Sequence, residues 1–353
     1  MNDTVKCFLD RNAVPYEELT EGLSDFRATD TNIVFKYAAD LSEMSKEDLD
    51  SFKTNDIIII TGRENSKYFG KANSSESNGL KYKKKCPYPL IGVDIDLFTK
   101  KPAFPYRDDR PHCFYKVKVD GQKSALEGFY DESIRWKMII NRINYSGGFI
   151  DNNWILQAMN ISRTTKAPSW FSKQLATKLI REYCSSNVIY DLAAGWGARH
   201  DAAVEQHRIY IGCDYNEELV QWHTEKGRNI KYADGNEFKI DGECSILICP
   251  PYSDPVTGRC FEDYNFEGFD STAKALSQCD WLEIAMRNAP GFIDATMVCK
   301  VVDPGWEQFI VDTKSNKSHF GTNNEYIIHL THAQYDKFNE ERHVQTEEVS
   351  KGE

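Results

Sequence analysis

From residue 188 onward, short apolar runs alternate with stretches of helical spacing. Val188-Ile189-Tyr190-Asp191-Leu192, Ile209-Tyr210-Ile211-Gly212-Cys213-Asp214, Ile230-Lys231-Tyr232-Ala233-Asp234-Gly235, Ser245-Ile246-Leu247-Ile248 and Ala295 to Val302 predict strands. The segments near 202–206, 216–226 and 277–288 predict helices between them. This alternation implies a doubly wound α/β sheet, whose parallel strands are apolar on both faces because helices cover both sides. Glu325 to His332 predicts a last strand that closes the sheet in the antiparallel sense.

The first 150 residues follow a different pattern. Asn32 to Tyr37, Asp56 to Thr61, Leu90 to Leu97 and His112 to Val119 predict strands, and Ser45 to Leu49 a short capped helix. Asp131 to Asn144 is apolar at helical spacing and stops at Tyr145-Ser146-Gly147-Gly148. A second helix starts near Pro168 behind a serine cap. Three regions are therefore expected: an α+β domain over 1–150, an α/β domain over 151–336, and a charged, disordered tail over 337–353.

Composition narrows the class. No apolar run reaches the roughly 18 residues that span a bilayer, and the N-terminus has no secretory apolar region, so a soluble intracellular protein without a membrane partner is expected. Ten cysteines are scattered with no C-x-x-C pair, which favours reduced, buried thiols over a metal site or a disulfide framework. The net charge of −11 excludes a uniformly basic coat for nucleic acid. Yet Gly62 to Lys123 holds 14 Lys and Arg against 7 Asp and Glu, densest at Lys81, Lys83, Lys84 and Lys85. That cluster suits either a solvated loop or an arm contacting phosphates. Asp94 and Asp96 lie two apart on a predicted strand, a spacing that suits two surface aspartates or a metal or acid–base pair.

The candidate chemistry lies at strand ends, where open α/β sheets bind ligands. Asp191 to Gly197 reads D-x-x-x-G-x-G, and its two glycines let the backbone approach a ligand closely. Asp214 ends the next strand, where a carboxylate can accept from both hydroxyls of a ribose. Asp234 ends the third and can accept from an adenine amino group. The fourth runs into Cys249-Pro250-Pro251-Tyr252, where two prolines fix a loop whose carbonyls face no competing N–H.

This last tetrapeptide resembles the (Asp/Asn/Ser)-Pro-Pro-(Tyr/Phe) signature of S-adenosylmethionine-dependent amino-methyltransferases, which act on N6 of adenine or N4 of cytosine in DNA. The order of motifs, cofactor half first, is similar to the γ arrangement in that family, and the resemblance covers roughly 165–335. It implies a class I methyltransferase fold, a Rossmann-like seven-stranded mixed sheet, with S-adenosyl-L-methionine as cofactor and DNA as partner. By the same resemblance Asp191, Ala193, Gly195, Gly197, Asp214, Tyr215, Asp234, Gly235 and Phe171 hold the cofactor. Cys249, Pro250, Pro251 and Tyr252 hold the target, with Tyr252 stacking on a base turned out of the duplex.

Cys249 departs from the family pattern, since a thiol accepts hydrogen bonds weakly. Two alternatives therefore stay open: an RNA or protein-glutamine methyltransferase with the same site, and a methyltransferase-fold subunit without turnover. Phe261, Tyr264, Phe266 and Phe269 either clamp a flipped base or pack over the pocket, and Lys300 ends a strand as a solvated or a phosphate-contacting group. Residues 1–150 are expected to recognise the target or a partner.

Overall fold

The computed structural model describes residues 61–64, 91–98, 101–119, 121–143, 148–251, 276–318 and 321–351, together with the strand segments at 16–19, 25–28, 34–37, 57–60, 253–254, 259–260 and 262–263. The helix expected at 45–49, the lysine cluster at 81–85, Tyr252 and the aromatic positions Phe261, Tyr264, Phe266 and Phe269 lie outside the described residues.

The chain forms two compact units. The first comprises 1–107 and 122–167, the second 108–121 and 168–353. The expected boundary near 150 is thus corrected in two ways: 108–121 crosses into the second unit, and 151–167 stays with the first. Composition could not reveal this, because the crossing is decided by which core accepts Phe114 and its neighbours.

In the first unit β1 (Tyr16–Leu19), β2 (Asp25–Ala28), β3 (Val34–Tyr37), β4 (Ile57–Thr61), β5 (Ile91–Asp94) and β6 (Gly148–Ile150) make one sheet in that order. The first two pairings are antiparallel and the remaining three parallel. Among the described residues the unit also holds helices α1 (Ala125–Tyr130), α2 (Glu132–Ile143) and α3 (Asn152–Ile161). Leu90 to Leu97 does not continue as a strand. It stops at Asp94, whose Oδ1 accepts from the Asp96 backbone N–H at 3.1 Å and turns the chain into a 3₁₀ segment over Ile95–Phe98. Asp94 is buried and Asp96 exposed, so the two carboxylates do not share a strand face.

The second unit holds α4 (Lys173–Tyr183), β7 (Val188–Asp191), α5 (Ala198–Glu205), β8 (Ile209–Asp214), α6 (Glu217–Glu225), β9 (Ile230–Tyr232), β10 (Cys244–Ile248), α7 (Gln278–Asn288), β11 (Phe292–Cys299), β12 (Ile310–Ser318), β13 (Gly321–Thr331) and α8 (His332–Lys351). The seven strands lie in the order β9-β8-β7-β10-β11-β13-β12. The first five run parallel, β13 runs antiparallel to β11, and β12 runs antiparallel to β13. That order, 3-2-1-4-5-7-6 with one reversed strand, is the class I methyltransferase fold expected from the sequence. Strand β12 is the element the hydrophobic pattern missed, because Ile310 to Ser318 is polar over most of its length.

Burial explains the apolar runs. Ile246 and Ile248 face one core with Trp281, Leu282 and Ala285 of α7, while Leu247 faces the other with Leu179 and Ile180 of α4. A strand covered on both faces gains nothing from a polar residue on either, hence the absence of alternation. Residues His112–Lys116, expected as a strand, form a 3₁₀ turn after Pro111. The tail is corrected most plainly, since 332–351 is helical. Phe338, 7% exposed, packs edge-on against Trp306 and Phe309 at 5.2 and 5.3 Å, contacts that composition cannot reveal. Among the described residues no helix is long and apolar enough to cross a membrane.

Candidate functional site

The parallel strands of the second unit bring their carboxyl ends to one edge, and the expected site residues follow them. The turn after β7 is the tightest piece. Gly195 and Gly197 have φ of +55° and +85°, a backbone region that costs an L-residue about 1–2 kcal/mol. The two glycines differ in surroundings. A Cβ on Gly195 would meet only the Ala193 carbonyl, at 3.8 Å, so its Cα faces open space. A Cβ on Gly197 would lie 2.9 Å from His223 Cε1 and 3.2 Å from Arg228 Cζ. Gly197→Ala is therefore expected to lower stability by about 2 kcal/mol or more, through φ strain and the displaced imidazole, measured as a shift in the denaturation midpoint.

Asp191 organises this turn from behind. Its Oδ2 pairs with Arg199 Nε at 2.6 Å and accepts from the Tyr210 hydroxyl at 2.6 Å, and its Oδ1 accepts from the Ala193 N–H at 3.0 Å. Arg199 Nη2 also donates to the Ala193 carbonyl. Burial alone would lower the Arg199 pKa, but the Asp191 charge overcomes it and holds the guanidinium above its ordinary value. Phe171 lies under the same guanidinium, 5.0 Å from its centre. Asp191 and Phe171, expected to hold the cofactor, are both engaged with Arg199, and the Asp191 carboxylate is enclosed.

Asp214 is the side chain that faces the turn from the next strand. Its Oδ2 accepts from the Gly195 N–H at 2.9 Å and its Oδ1 from the Asn216 N–H at 3.0 Å. Burial pushes its pKa up to about 6 against the opposing pull of those two N–H groups. A half-buried carboxylate with one hydrogen bond per oxygen retains lone pairs on both. Tyr215, 39% exposed, follows it and lies 6.0 Å from the ring of Tyr232, 56% exposed.

Asp234 caps its own turn, with Oδ1 accepting from the Asn236 backbone and side chain at 2.9 Å. Gly235 is there because a Cβ would sit 2.8 Å from the Leu192 carbonyl. Asn288 of α7 clamps that turn by donating to the carbonyls of Gly235 and Asn236, both at 3.0 Å.

At the end of β10, Cys249 is half-buried against the core that includes Ala194 and Leu247, Pro250 is buried and Pro251 half-buried. Cys249 lies within electrostatic reach of both Arg199 and Cys299. The neighbouring end of β11 is held by Gln278, whose Oε1 accepts from the backbone N–H groups of Lys300 and Val301 at 2.7 and 3.1 Å.

Sequence reasoning missed two groups here. One is a buttress for the glycine turn: His223 of α6 meets the Gly195 carbonyl at 2.8 Å through Nε2, and its Nδ1 lies 3.4 Å from Arg228. Arg228 in turn forms a forked pair with Asp201, at 2.8 and 2.6 Å. Burial pushes the His223 pKa down to about 4, so the ring is neutral at pH 7 and donates from Nε2. The other is an aromatic cluster in which Phe114 packs edge-on against Trp170 and Trp196 at 5.6 and 5.1 Å, with Arg110 over Phe114 at 4.6 Å. Trp196 lies between the two loop glycines and donates to the Ser169 carbonyl at 2.9 Å. Both groups join residues far apart in the chain, for which no periodicity or spacing exists.

No protein-family model matches this chain, and no curated protein matches it. Solved structures similar to it include the 23S rRNA methyltransferase ErmE, at 13% identity over 46% of this chain and 69% of that one with a TM-score of 0.29. M. capricolum TrmK, in complex with S-adenosyl-homocysteine, is similar at 13% identity over 46% and 68%, with a TM-score of 0.30. A SAM-dependent methyltransferase from Agrobacterium tumefaciens is similar at 10% identity over 48% and 64%, with a TM-score of 0.30. The strand order, not these likenesses, assigns the fold.

Proposed function

We propose that this protein is an S-adenosylmethionine-dependent methyltransferase acting on an exocyclic amino group of a DNA base, adenine N6 or cytosine N4. The observation that carries the proposal is the direct link between two expected cofactor residues: Asp214 accepts from the Gly195 N–H at 2.9 Å, beside a glycine whose Cα faces open space. The residues suit the cofactor. Gly195, with its open face, would hold the amino-acid portion, Asp214 would accept from ribose hydroxyls through its remaining lone pairs, and Tyr215 and Asp234 would serve the adenine end. When bound, it supplies an electrophilic methyl group on a sulfonium.

The remaining work falls to the chain itself. A base amine is a poor nucleophile because its lone pair is delocalised into the ring. The Pro250 carbonyl, and weakly the Cys249 thiol, accept from its two hydrogens, shifting electron density onto nitrogen and aligning it for in-line attack. Tyr252 stacks on the everted base. In this reading Tyr252→Ala lowers turnover by about 100-fold and changes cofactor affinity less than about 2-fold, a split that single-turnover kinetics and calorimetry measure separately.

The decisive experiment is incorporation of labelled methyl groups into DNA, RNA and protein offered in parallel. Label in DNA supports the proposal; label confined to RNA or to protein glutamine replaces its substrate. A second reading, a fold retained without turnover, is favoured by one feature, the weak acceptor at Cys249. Cofactor binding with no methylated polymer would select it. The first unit is proposed to contact the target through its lysine-rich stretch. Because the chain crosses between units, the test uses the whole protein with Lys81, Lys83, Lys84 and Lys85 changed to Ala. A smaller salt slope of DNA binding is expected, and an unchanged slope removes that role.

A further inference from the structure

The last two strands of the second unit reach past the edge that carries the site. Strand β11 ends at Cys299, which pairs with Tyr326 of β13, and Ile248 of β10, one residue before Cys249, pairs with Met297. That level is the carboxyl edge of the parallel strands, where Asp214 and the Cys249-Pro250 turn lie. β13 extends five residues beyond it, Gly321 to Glu325, and β12 pairs with it throughout, from Lys314 opposite Glu325 to Ser318 opposite Gly321. At about 3.3 Å per residue, a two-stranded ribbon projects roughly 16 Å past the rim. Only β11 stands between β10 and β13 in the sheet.

Composition sets this ribbon apart from the strands it continues. None of its ten paired positions is apolar, whereas Ile327 and Ile328, just inside the rim, belong to the two cores. Cross-strand partners share a face, so Asn316 and Asn323 lie together on one face, and Ser315 with Asn324 and Lys317 with Thr322 on the other. Neither face offers apolar residues to a core or to an apolar partner. A two-stranded ribbon gains little stability alone in water, so one kept polar on both faces is suited to a polar surface.

The charge selects the kind of surface. In a chain of net charge −11, the ribbon carries Lys314 and Lys317 against Glu325 alone, and Lys300 follows the end of β11 at the same rim. That sign complements a polyanion. Dimensions narrow the choice further. The major groove of B-form DNA is about 12 Å wide and admits a two-stranded ribbon, whereas the deep, narrow major groove of duplex RNA does not. Two strand spacings put β13 about 10 Å from β10, within reach of a duplex whose everted base enters at Cys249-Pro250.

We propose that the ribbon over 314–318 and 321–325 enters the major groove of duplex DNA beside the base presented to Cys249 and Pro250. The inference rests on the proposed DNA substrate, but its test reads binding and needs no turnover. DNA methylation with unaltered binding in the ribbon variants strikes the ribbon alone; ribbon-dependent binding without methylation upholds the ribbon and strikes the activity. The whole protein is titrated with a mixed-sequence DNA duplex, and with the same sequence as duplex RNA, at several salt concentrations. DNA is expected to bind about 10-fold tighter than RNA. Lys314→Ala with Lys317→Ala weakens DNA binding by about 10-fold, lowers its salt slope by about 2 and leaves RNA binding within about 2-fold. Lys317→Glu weakens DNA binding by about 10-fold or more, and cofactor affinity changes less than about 2-fold in either variant. Equal affinity of the unaltered protein for DNA and RNA, unchanged DNA affinity in both variants with native melting, or an equal loss for DNA and RNA overturns the proposal.

Discussion

Asp214→Asn is expected to weaken S-adenosylmethionine binding by about 10- to 100-fold while the protein stays folded. The loss corresponds to about 1.5–3 kcal/mol, the range for hydrogen bonds to a charged group, and calorimetric titration measures it. The carboxylate spends one lone pair per oxygen on Gly195 and Asn216, and has others left for a ribose diol. An amide has a single oxygen, and its NH₂ opposes one of those backbone donors. Removing a charge that burial disfavours offsets the lost backbone bond, so the melting temperature should move little at pH 7.

The same side chain sets a pH dependence. With its pKa raised to about 6, Asp214 loses its negative charge as pH falls through 6, and cofactor affinity should fall with it. Its effect on stability has the opposite sign. The folded protein keeps this proton up to about pH 6, whereas an unfolded aspartate releases it near 3.8. Stability therefore declines with rising pH across that window. His223 works against this decline: its folded pKa is near 4 and its ordinary value 6.5, so the unfolded chain binds the extra proton and stability rises with pH. Asp214→Asn removes only the first effect. Its stability should climb more steeply between pH 4 and 6 than that of the unaltered protein, as chemical denaturation at several pH values will reveal.

The largest loss of stability is expected from Arg199→Ala. Arg199 is 3% exposed and its partner Asp191 is fully enclosed, so truncation leaves a buried carboxylate with only the Tyr210 hydroxyl and the Ala193 N–H. Breaking one side of such a pair costs about 3–5 kcal/mol, a large share of the 5–15 kcal/mol that holds a typical domain together. Removing both charges together, in Arg199→Met with Asp191→Leu, should recover much of that loss. The double variant should still bind cofactor poorly, because the Ala193 N–H and carbonyl lose the groups that hold the glycine turn. Urea midpoints of the two single variants and the double variant decide this; a fully additive result would show that the pair is not coupled.

Much of the second unit was legible because its signals are local. A central parallel strand must be apolar on both faces, so Ser245 to Ile248 announces itself within a few residues. A turn that needs φ of +55° and +85° selects glycine at 195 and 197 whatever surrounds it. The partners of Asp191 were not legible for the opposite reason: its position in the motif is local, but Arg199 points back to it from the following helix, and Tyr210 reaches it from the neighbouring strand. The first unit gave weaker signals, with a strand over Leu90 to Leu97 that ends halfway because Asp94 caps the next turn.

The amino-acid sequence by itself determined six of the seven strands in the second unit's sheet, their order of appearance and the glycine turn, since each depends on propensity or φ within a few positions. Tertiary structure alone decided that Asp191 is enclosed by Arg199 and that His223 braces the Gly195 carbonyl. It also decided that 108–121 joins the second unit and that Phe338 anchors a helical tail. The physical reason is the same in each case: such contacts are selected by shape and charge across a packed core, and they leave no periodic trace along the chain.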